Sequence, residues 1–492
     1  MKPTVWKPLI AAAIGFGAMF GLSAVTTISF LDTAVVVGAS TAAVWWIASR
    51  NRMPGMLNRL SLGVLTLAVL ARVIQGPRWQ LVVWQLVALV IAAFAGLRMW
   101  RPGRSVKLTR ILGRSVLVLS LLVGGLALLV DRFPSLPEPS GEFAVGSQVF
   151  HWTDPSRAES LTADSGDKRE VIAQAWYPSV VGGSEATAYI GTDDSTSLMD
   201  GVPAEVFDDF DRIDTHATDL SAVSLERERW PVLLFSPGLS VARQSYTALL
   251  TEMASRGYVV VSMSHPYDSP ASQLADGNVV TVGDASGVGG KVDQIDLRAV
   301  DSSFLLDQLQ ALAKSDPNSP LVGHMDLERV GIFGHSFGGA TAVQAIAKDP
   351  RFLGGLNIDG SLFRDEIPEL DRPFLWLQSG GQGGSASDRD ALLDGLRAGG
   401  ELVTIEGSVH MSFSDYSAYF TPLGRQIVGR IPMIGFGSMS TETIVPVTAD
   451  VVTAFFGPIL NGPSSGDLAH VAQRYPSVTV DRTVEARTGS RP

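Results

Sequence analysis

The chain has 492 residues, 46% of them hydrophobic, no cysteine and a formal net charge of −11; it is too long for one ordinary domain, and disulfides, thiolate metal sites and a cysteine nucleophile are excluded. Charge is divided unevenly: residues 1–130 carry 13 basic residues and a single acid, Asp32, which leaves 25 basic and 48 acidic residues for the remainder. A net −23 on that remainder argues against nucleic acid as a partner, because phosphate binding needs basic patches.

Residues 8–130 are a series of long apolar runs broken by basic clusters, and they predict an all-α membrane domain over residues 1–132. The spans fall at about 8–27, 30–48, 60–75, 80–98 and 113–130, the third being short with Arg72 near its end. No ionisable residue sits well inside a span to mark a transport path, so the region reads as an anchor. Lys2 and Lys7, then Arg50, Arg52 and Arg59, then Arg98, Arg101, Arg104, Lys107 and Arg110 occupy the loops on one side, which the positive-inside rule makes cytoplasmic. With five spans, the expectation is an integral protein of a bacterial-type cell membrane whose chain from residue 131 onward is extracytoplasmic.

Residues 133–142, with Pro134, Pro137 and Pro139, read as a stiff linker. A second domain follows over residues 143–460. Phe143–Trp152 and Val171–Trp176 look like opening strands, and residues 180–228 like an irregular acidic excursion with one helix near Ala204–Phe210. From Pro231 the rhythm becomes strand, helix, strand. Short apolar runs at Val232–Phe235, Tyr258–Ser262, Val330–Phe333, Leu353–Ile358, Phe374–Leu377 and Leu402–Ile405 alternate with helical segments at Arg243–Ser255, Gln294–Leu312, Ala340–Lys348 and Ala386–Leu396. Such alternation predicts a mainly parallel sheet covered on both faces, with its site at the carboxyl ends of the strands. Thr443–Phe456 reads as a last amphipathic helix, and residues 461–492 as a disordered polar tail.

The motif that carries chemistry is Gly334-His335-Ser336-Phe337-Gly338, a G-x-S-x-G between an apolar strand and a helix-forming run. A serine on that abrupt turn has its hydroxyl pushed clear of the sheet, so Ser336 is the candidate nucleophile. It needs a base and an acid that orients the base. Only His410 and His470 follow Ser336; His410 lies just after the Leu402–Ile405 strand, whereas His470 lies in the polar tail, so His410 is the candidate base. Asp359 follows the run ending at Ile358 and is the candidate acid, in preference to Asp365 and Asp371, which are flanked by charge and proline. For the oxyanion, the amide of Phe337 beside the nucleophile and that of Leu239, in the loop after Phe235, are the candidate donors. His335 and His265 read as packing or loop histidines. No His-x-x-x-His pair or Asp-rich calcium loop lies near these residues, so no metal or other cofactor is expected.

Phe235-Ser236-Pro237-Gly238-Leu239, Ala254-Ser255-Arg256-Gly257-Tyr258, Gly334 to Thr341, and Gly407-Ser408-Val409-His410-Met411-Ser412-Phe413-Ser414-Asp415 resemble the plasma-type platelet-activating-factor acetylhydrolases, lipoprotein-associated phospholipases of the α/β-hydrolase fold. The resemblance runs from about residue 143 to 457. It implies Ser336 as nucleophile, Asp359 as acid, His410 as base, and the amides of Leu239 and Phe337 as oxyanion donors. The chain departs from the family at Ser236-Pro237, where a histidine usually precedes the glycine, and over residues 180–228. Together these features predict a membrane-anchored serine ester hydrolase acting on phospholipid-like esters with short or modified acyl chains. The competing readings are a general carboxylesterase or polyesterase on soluble esters, and a non-catalytic membrane sensor.

Overall fold

The computed structural model describes residues 134–180, 185–190, 207, 210–284, 290–381, 385–420 and 435–487. The five expected spans lie outside the described residues, as does most of the helix expected near Ala204–Phe210.

Among the described residues, ten strands form one sheet in the order β12-β11-β10-β9-β8-β4-β5-β2-β1-β3. The middle six, β4 (Trp230–Ser236), β5 (Val259–Ser264), β8 (Met325–His335), β9 (Phe352–Ile358), β10 (Phe374–Ser379) and β11 (Gly400–Ile405), run parallel. Their side chains are buried on both faces, which is why they read as unbroken apolar runs and not as alternating ones. β1 (Ala144–Ala158) and β2 (Lys168–Ser179) add an antiparallel ribbon on one flank, with the short β3 (Ala217–Asp219) outside it. A separate two-stranded ribbon, β6 (Ala271–Gln273) and β7 (Val279–Thr281), follows β5.

The α-helices among the described residues are α1 (Thr247–Ser255), α2 (Lys291–Gln310), the four-residue α3 (Leu312–Ser315), α4 (Phe337–Lys348), α5 (Ala386–Asp394), α6 (Thr441–Leu460) and α7 (Leu468–Arg474). α6 is apolar and long enough to cross a membrane, yet most of it is buried inside this domain. It lies against the central strands because Gly331 leaves room: a Cβ there would come 2.5 Å from the Phe456 ring and 2.8 Å from Leu233. Trp176, Trp230 and Trp376 are each 1% exposed, and burying side chains of that size contributes on the order of 2–3 kcal/mol apiece.

Two boundaries need correction. The expected disordered tail is ordered to residue 487: α7 is capped by the Asp467 carboxylate, which accepts from the His470 amide, and β12 (Val478–Val484) pairs antiparallel with β11. An edge strand satisfies its backbone on one side only and leaves alternate side chains in water, so Asp481 and Arg482 are compatible with it. The domain therefore extends beyond residue 460. The linker, in turn, is docked at its end: the Ser140 amide donates to Glu252 over 2.7 Å and the Gly141 amide to Ser255 Oγ over 3.1 Å, both on α1.

Candidate active site

The first neighbour change in the sheet falls between β4 and β8, and four carboxyl-end loops converge there, as expected at a topological switch point. Ser336 stands between β8 and α4 with φ 56° and ψ −119°, in the left-handed half of backbone space that L-residues rarely occupy. The sharpness of the turn explains its glycines. A Cβ on Gly334 would collide with the Gly338 carbonyl, one on Gly338 with the Ser236 carbonyl, and one on Gly339 with the Asn357 side chain.

Asp359 follows β9 and also has positive φ, 54°. Asn357 stabilises that turn: its Oδ1 accepts from the Gly360 amide over 2.8 Å and its Nδ2 donates to the Gly360 carbonyl over 3.0 Å. His410 begins a 3-10 turn after β11, reached through Gly407 at φ 80°. The structure brings the three together. His410 Nδ1 lies 2.7 Å from Asp359 Oδ2, and His410 Nε2 lies 2.9 Å from Ser336 Oγ. With Asp359 ionised, Nδ1 carries the hydrogen, and Nε2 accepts from the serine hydroxyl. Burial pushes the Asp359 carboxyl up, but hydrogen bonding and charge from His410, aided by the Ser379 amide at 2.7 Å, outweigh it and leave it below the usual carboxylate range. Asp359 is 1% exposed, whereas the His410 side chain is 40% exposed, so the row opens to solvent at its histidine end.

Phe337 is the first residue of α4, and the Gly238–Leu239 loop leaves β4 beside it; a Cβ on Gly238 would sit 3.5 Å from Ser336 Cβ. Among the described residues neither the Phe337 nor the Leu239 amide donates a hydrogen bond. Two unpaired amides beside a hydroxyl that is hydrogen-bonded to a histidine have the chemistry to hold a developing oxyanion. Among the described residues no cluster of three or more His, Asp or Glu is arranged to hold a metal ion.

Comparison with known proteins agrees with this chemistry. Residues 208–280 and 294–455 match the profile of the family described as platelet-activating factor acetylhydrolase, isoform II. A probable 1-alkyl-2-acetylglycerophosphocholine esterase of Arthroderma benhamiae is 25% identical over 404 residues, 74% of this chain and 98% of that one. The platelet-activating factor acetylhydrolase of Cavia porcellus is 26% identical over 298 residues, 54% of this chain and 66% of that one. Among solved structures, a ferulic acid esterase from Streptomyces cinnamoneus superposes with a TM-score of 0.57 at 27% identity, covering 71% of this chain and 99% of that one. These matches support the family. The chain is a serine carboxylic ester hydrolase with an α/β-hydrolase fold.

Around the site, the hydrolase holds groups that its motifs did not announce. Asp415, the last residue of the His410 motif, is fully buried; it accepts from the Tyr189 hydroxyl over 3.0 Å and from the Ala248 amide at the start of α1. Burial pushes its carboxyl up to about 7. A second serine, histidine and aspartate lie in a row at the carboxyl ends of β4 and β5: Ser236 Oγ is 3.2 Å from His265 Nε2, and His265 Nδ1 is 2.9 Å from Asp301 Oδ2. Asp301 also accepts from Arg169 and Arg157, and Arg169 reaches Glu159. Burial, helped by the charge of Arg298, lowers His265 to about 4, so it stays neutral; burial opposes ionisation of Asp301, but the Arg169 charge outweighs it. His335 is likewise buried and lowered to about 3 by desolvation. The signal available in the sequence is weak: Arg298 and Asp301 fall on the buried face of α2 together with Ile295, Leu305 and Leu309, in a helix whose other face is also charged and polar.

Proposed function

We propose that this hydrolase cleaves acyl esters through an acyl-enzyme on Ser336, with His410 as general base and acid, Asp359 as its orienting acid, and the Leu239 and Phe337 amides as oxyanion donors. The observation that carries the reading is the continuous Asp359–His410–Ser336 row at 2.7 and 2.9 Å, open to solvent and flanked by unpaired amides. Ser336 Oγ attacks the ester carbonyl carbon while its proton passes to His410 Nε2. The carbonyl oxygen becomes an oxyanion held by the two amides. Collapse breaks the bond to the leaving alcohol, which takes the proton from His410. Water then attacks the acyl-serine, again losing a proton to His410, and the acid departs as Ser336 recovers its hydrogen.

The substrate class best supported is a phospholipid-like ester with a short or modified acyl chain, since the named relatives act on such lipids. The superposition on a ferulic acid esterase favours a second reading, a broader carboxylesterase or polyesterase. Comparing turnover of an acetyl glycerophospholipid with that of a soluble aryl ester decides between them: a kcat/KM at least tenfold higher on the lipid supports the first, and the reverse order supports the second. The N-terminal region is proposed as a membrane anchor that leaves the catalytic domain extracytoplasmic, on the strength of its basic-loop asymmetry. Fusing alkaline phosphatase or a fluorescent protein after residue 140 in a bacterial host tests it; strong fluorescence without phosphatase activity contradicts the external placement.

A further inference from the structure

The Pro237–Gly238–Leu239 segment is held on both sides by buried side chains that do not themselves reach the nucleophile. On one side the Gly238 amide donates to Tyr246 Oη over 3.1 Å, and Tyr246 Oη is 2.8 Å from His335 Nδ1. His335 Nε2 lies 2.8 Å from the carbonyl oxygen of His410, an acceptor only, so Nε2 carries the hydrogen and Nδ1 must accept. The tyrosine hydroxyl therefore donates to the histidine and accepts from Gly238. Every group in this relay has one assignment. It runs from the loop after β4, through Tyr246 and His335, to the backbone of the residue that faces Ser336.

On the other side Arg298, 1% exposed on α2, donates to the Pro237 carbonyl over 2.7 Å and to the Gly238 carbonyl over 3.4 Å. Its remaining donors form a fork on Asp268, at 2.6 and 2.7 Å, and the Asp268 carbonyl in turn accepts from the Ser240 amide. The guanidinium also stacks 4.9 Å from the centre of the Phe337 ring. One cation thus touches both loops that supply the unpaired amides. A trans peptide sets its N–H opposite its C=O, so drawing the Gly238 carbonyl toward Arg298 and the Val241 amide fixes the Leu239 N–H on the opposite side.

We infer that Tyr246 and Arg298 are positioning residues that clamp Gly238 at its amide and at its carbonyl, fixing the two peptides on either side of it, and so aim the Leu239 amide at the oxyanion. The inference rests on the acyl-serine reading above. It explains why two large polar side chains, Tyr246 at 0% and Arg298 at 1% exposure, are sealed next to the site with their bonds directed at the Pro237–Gly238 backbone and at buried side chains and not at substrate. It also gives His335 a task as the spacer that ties the clamp to His410.

The test uses the purified full-length chain, its Tyr246→Phe and Arg298→Gln variants, and Arg298→Lys as the conservative replacement. Three readouts are taken: kcat and KM on a short-chain nitrophenyl ester, the affinity of a trifluoromethyl ketone that forms a hemiketal oxyanion on serine, and mass-spectrometric labelling of Ser336 by a phosphonate. Removing a whole oxyanion donor costs about 100- to 1,000-fold in kcat, and misaiming one is expected to cost on the order of tenfold or more. Tyr246→Phe should show that loss in kcat with KM within about threefold, and an equal loss in ketone affinity. Arg298→Gln should lose more, with Arg298→Lys recovering part of it. A role in folding alone lowers the melting temperature without moving the ketone affinity of the folded fraction. If Arg298→Gln does not fold, Tyr246→Phe, which removes one oxygen and keeps the ring packed on Phe235, decides the matter. A folded Tyr246→Phe with kcat and ketone affinity within twofold of the parent, in a chain that labels at Ser336, overturns the clamp alone. Absence of the Ser336 adduct in the parent overturns the acyl-serine reading and the clamp with it.

Discussion

Two rows of serine, histidine and aspartate lie in one domain, and only the one that contains His410 opens to solvent. Ser336–His410–Asp359 and Ser236–His265–Asp301 have nearly the same spacing, 2.9 and 2.7 Å against 3.2 and 2.9 Å. Their surroundings differ in three respects. Ser336 sits at positive φ on a turn, whereas Ser236 ends a regular strand. Unpaired amides flank Ser336, whereas Ser236 and His265 are 0% and 1% exposed. Asp359 serves its histidine and one amide, whereas Asp301 is neutralised by two arginines. Three side chains at hydrogen-bonding distance are thus insufficient; access, strain at the nucleophile and unpaired donors distinguish a proposed catalytic row from a structural one.

The sharpest way to break that comparison is substitution of each row in turn. Ser336→Ala should lower ester turnover on the order of 10⁴-fold or more with little change in stability, and His410→Ala comparably. Asp359→Asn should lose nearly as much, because a neutral partner misorients the imidazole. In the buried row the effect should appear in stability: Asp301→Asn leaves Arg169 partly uncompensated and should lower the unfolding free energy by about 3 kcal/mol. Chemical denaturation measures it, and an unchanged midpoint would contradict the structural assignment. Ser236→Ala, leaving His265 Nε2 without its donor, should cost about 1–2 kcal/mol while the folded variant keeps turnover within about threefold. A larger loss of turnover would blur the distinction between the rows.

The smallest predicted effect concerns pH. Asp415 is raised in the fold from an ordinary carboxylate value to about 7, so in that window the folded chain binds a proton that the unfolded chain has released. Its contribution to stability is therefore full at low pH and declines as pH rises through about 4 to about 7. Urea midpoints at pH 5 and pH 8 check this. The Asp415→Asn variant should gain on the parent as pH rises, and parallel behaviour of the two would contradict the assignment.

Much of this is legible in the sequence alone, for identifiable reasons. β4, β5 and β8 announce themselves because parallel strands buried on both faces need continuous apolar runs such as Val232-Leu233-Leu234-Phe235. Ser336, Asp359 and His410 are each readable as the residue at or just beyond a strand's carboxyl end. β12 is not legible, because its alternating polar residues look like a solvated tail; what orders it is the free edge of β11, which lies far away in sequence. The clamp on Gly238 is hidden for a related reason: Tyr246, Arg298, Asp268 and His335 come from four elements, and no local pattern brings them to one glycine.

The central claim is that the exposed row does the chemistry and the buried row does not. Treating the full-length chain with a serine-directed phosphonate and locating the adduct by peptide mass spectrometry tests it most directly. The account predicts one adduct, on Ser336, with loss of ester turnover in proportion to labelling; an adduct on Ser236 or elsewhere that abolishes turnover, or turnover that persists when Ser336 is fully labelled, would contradict it.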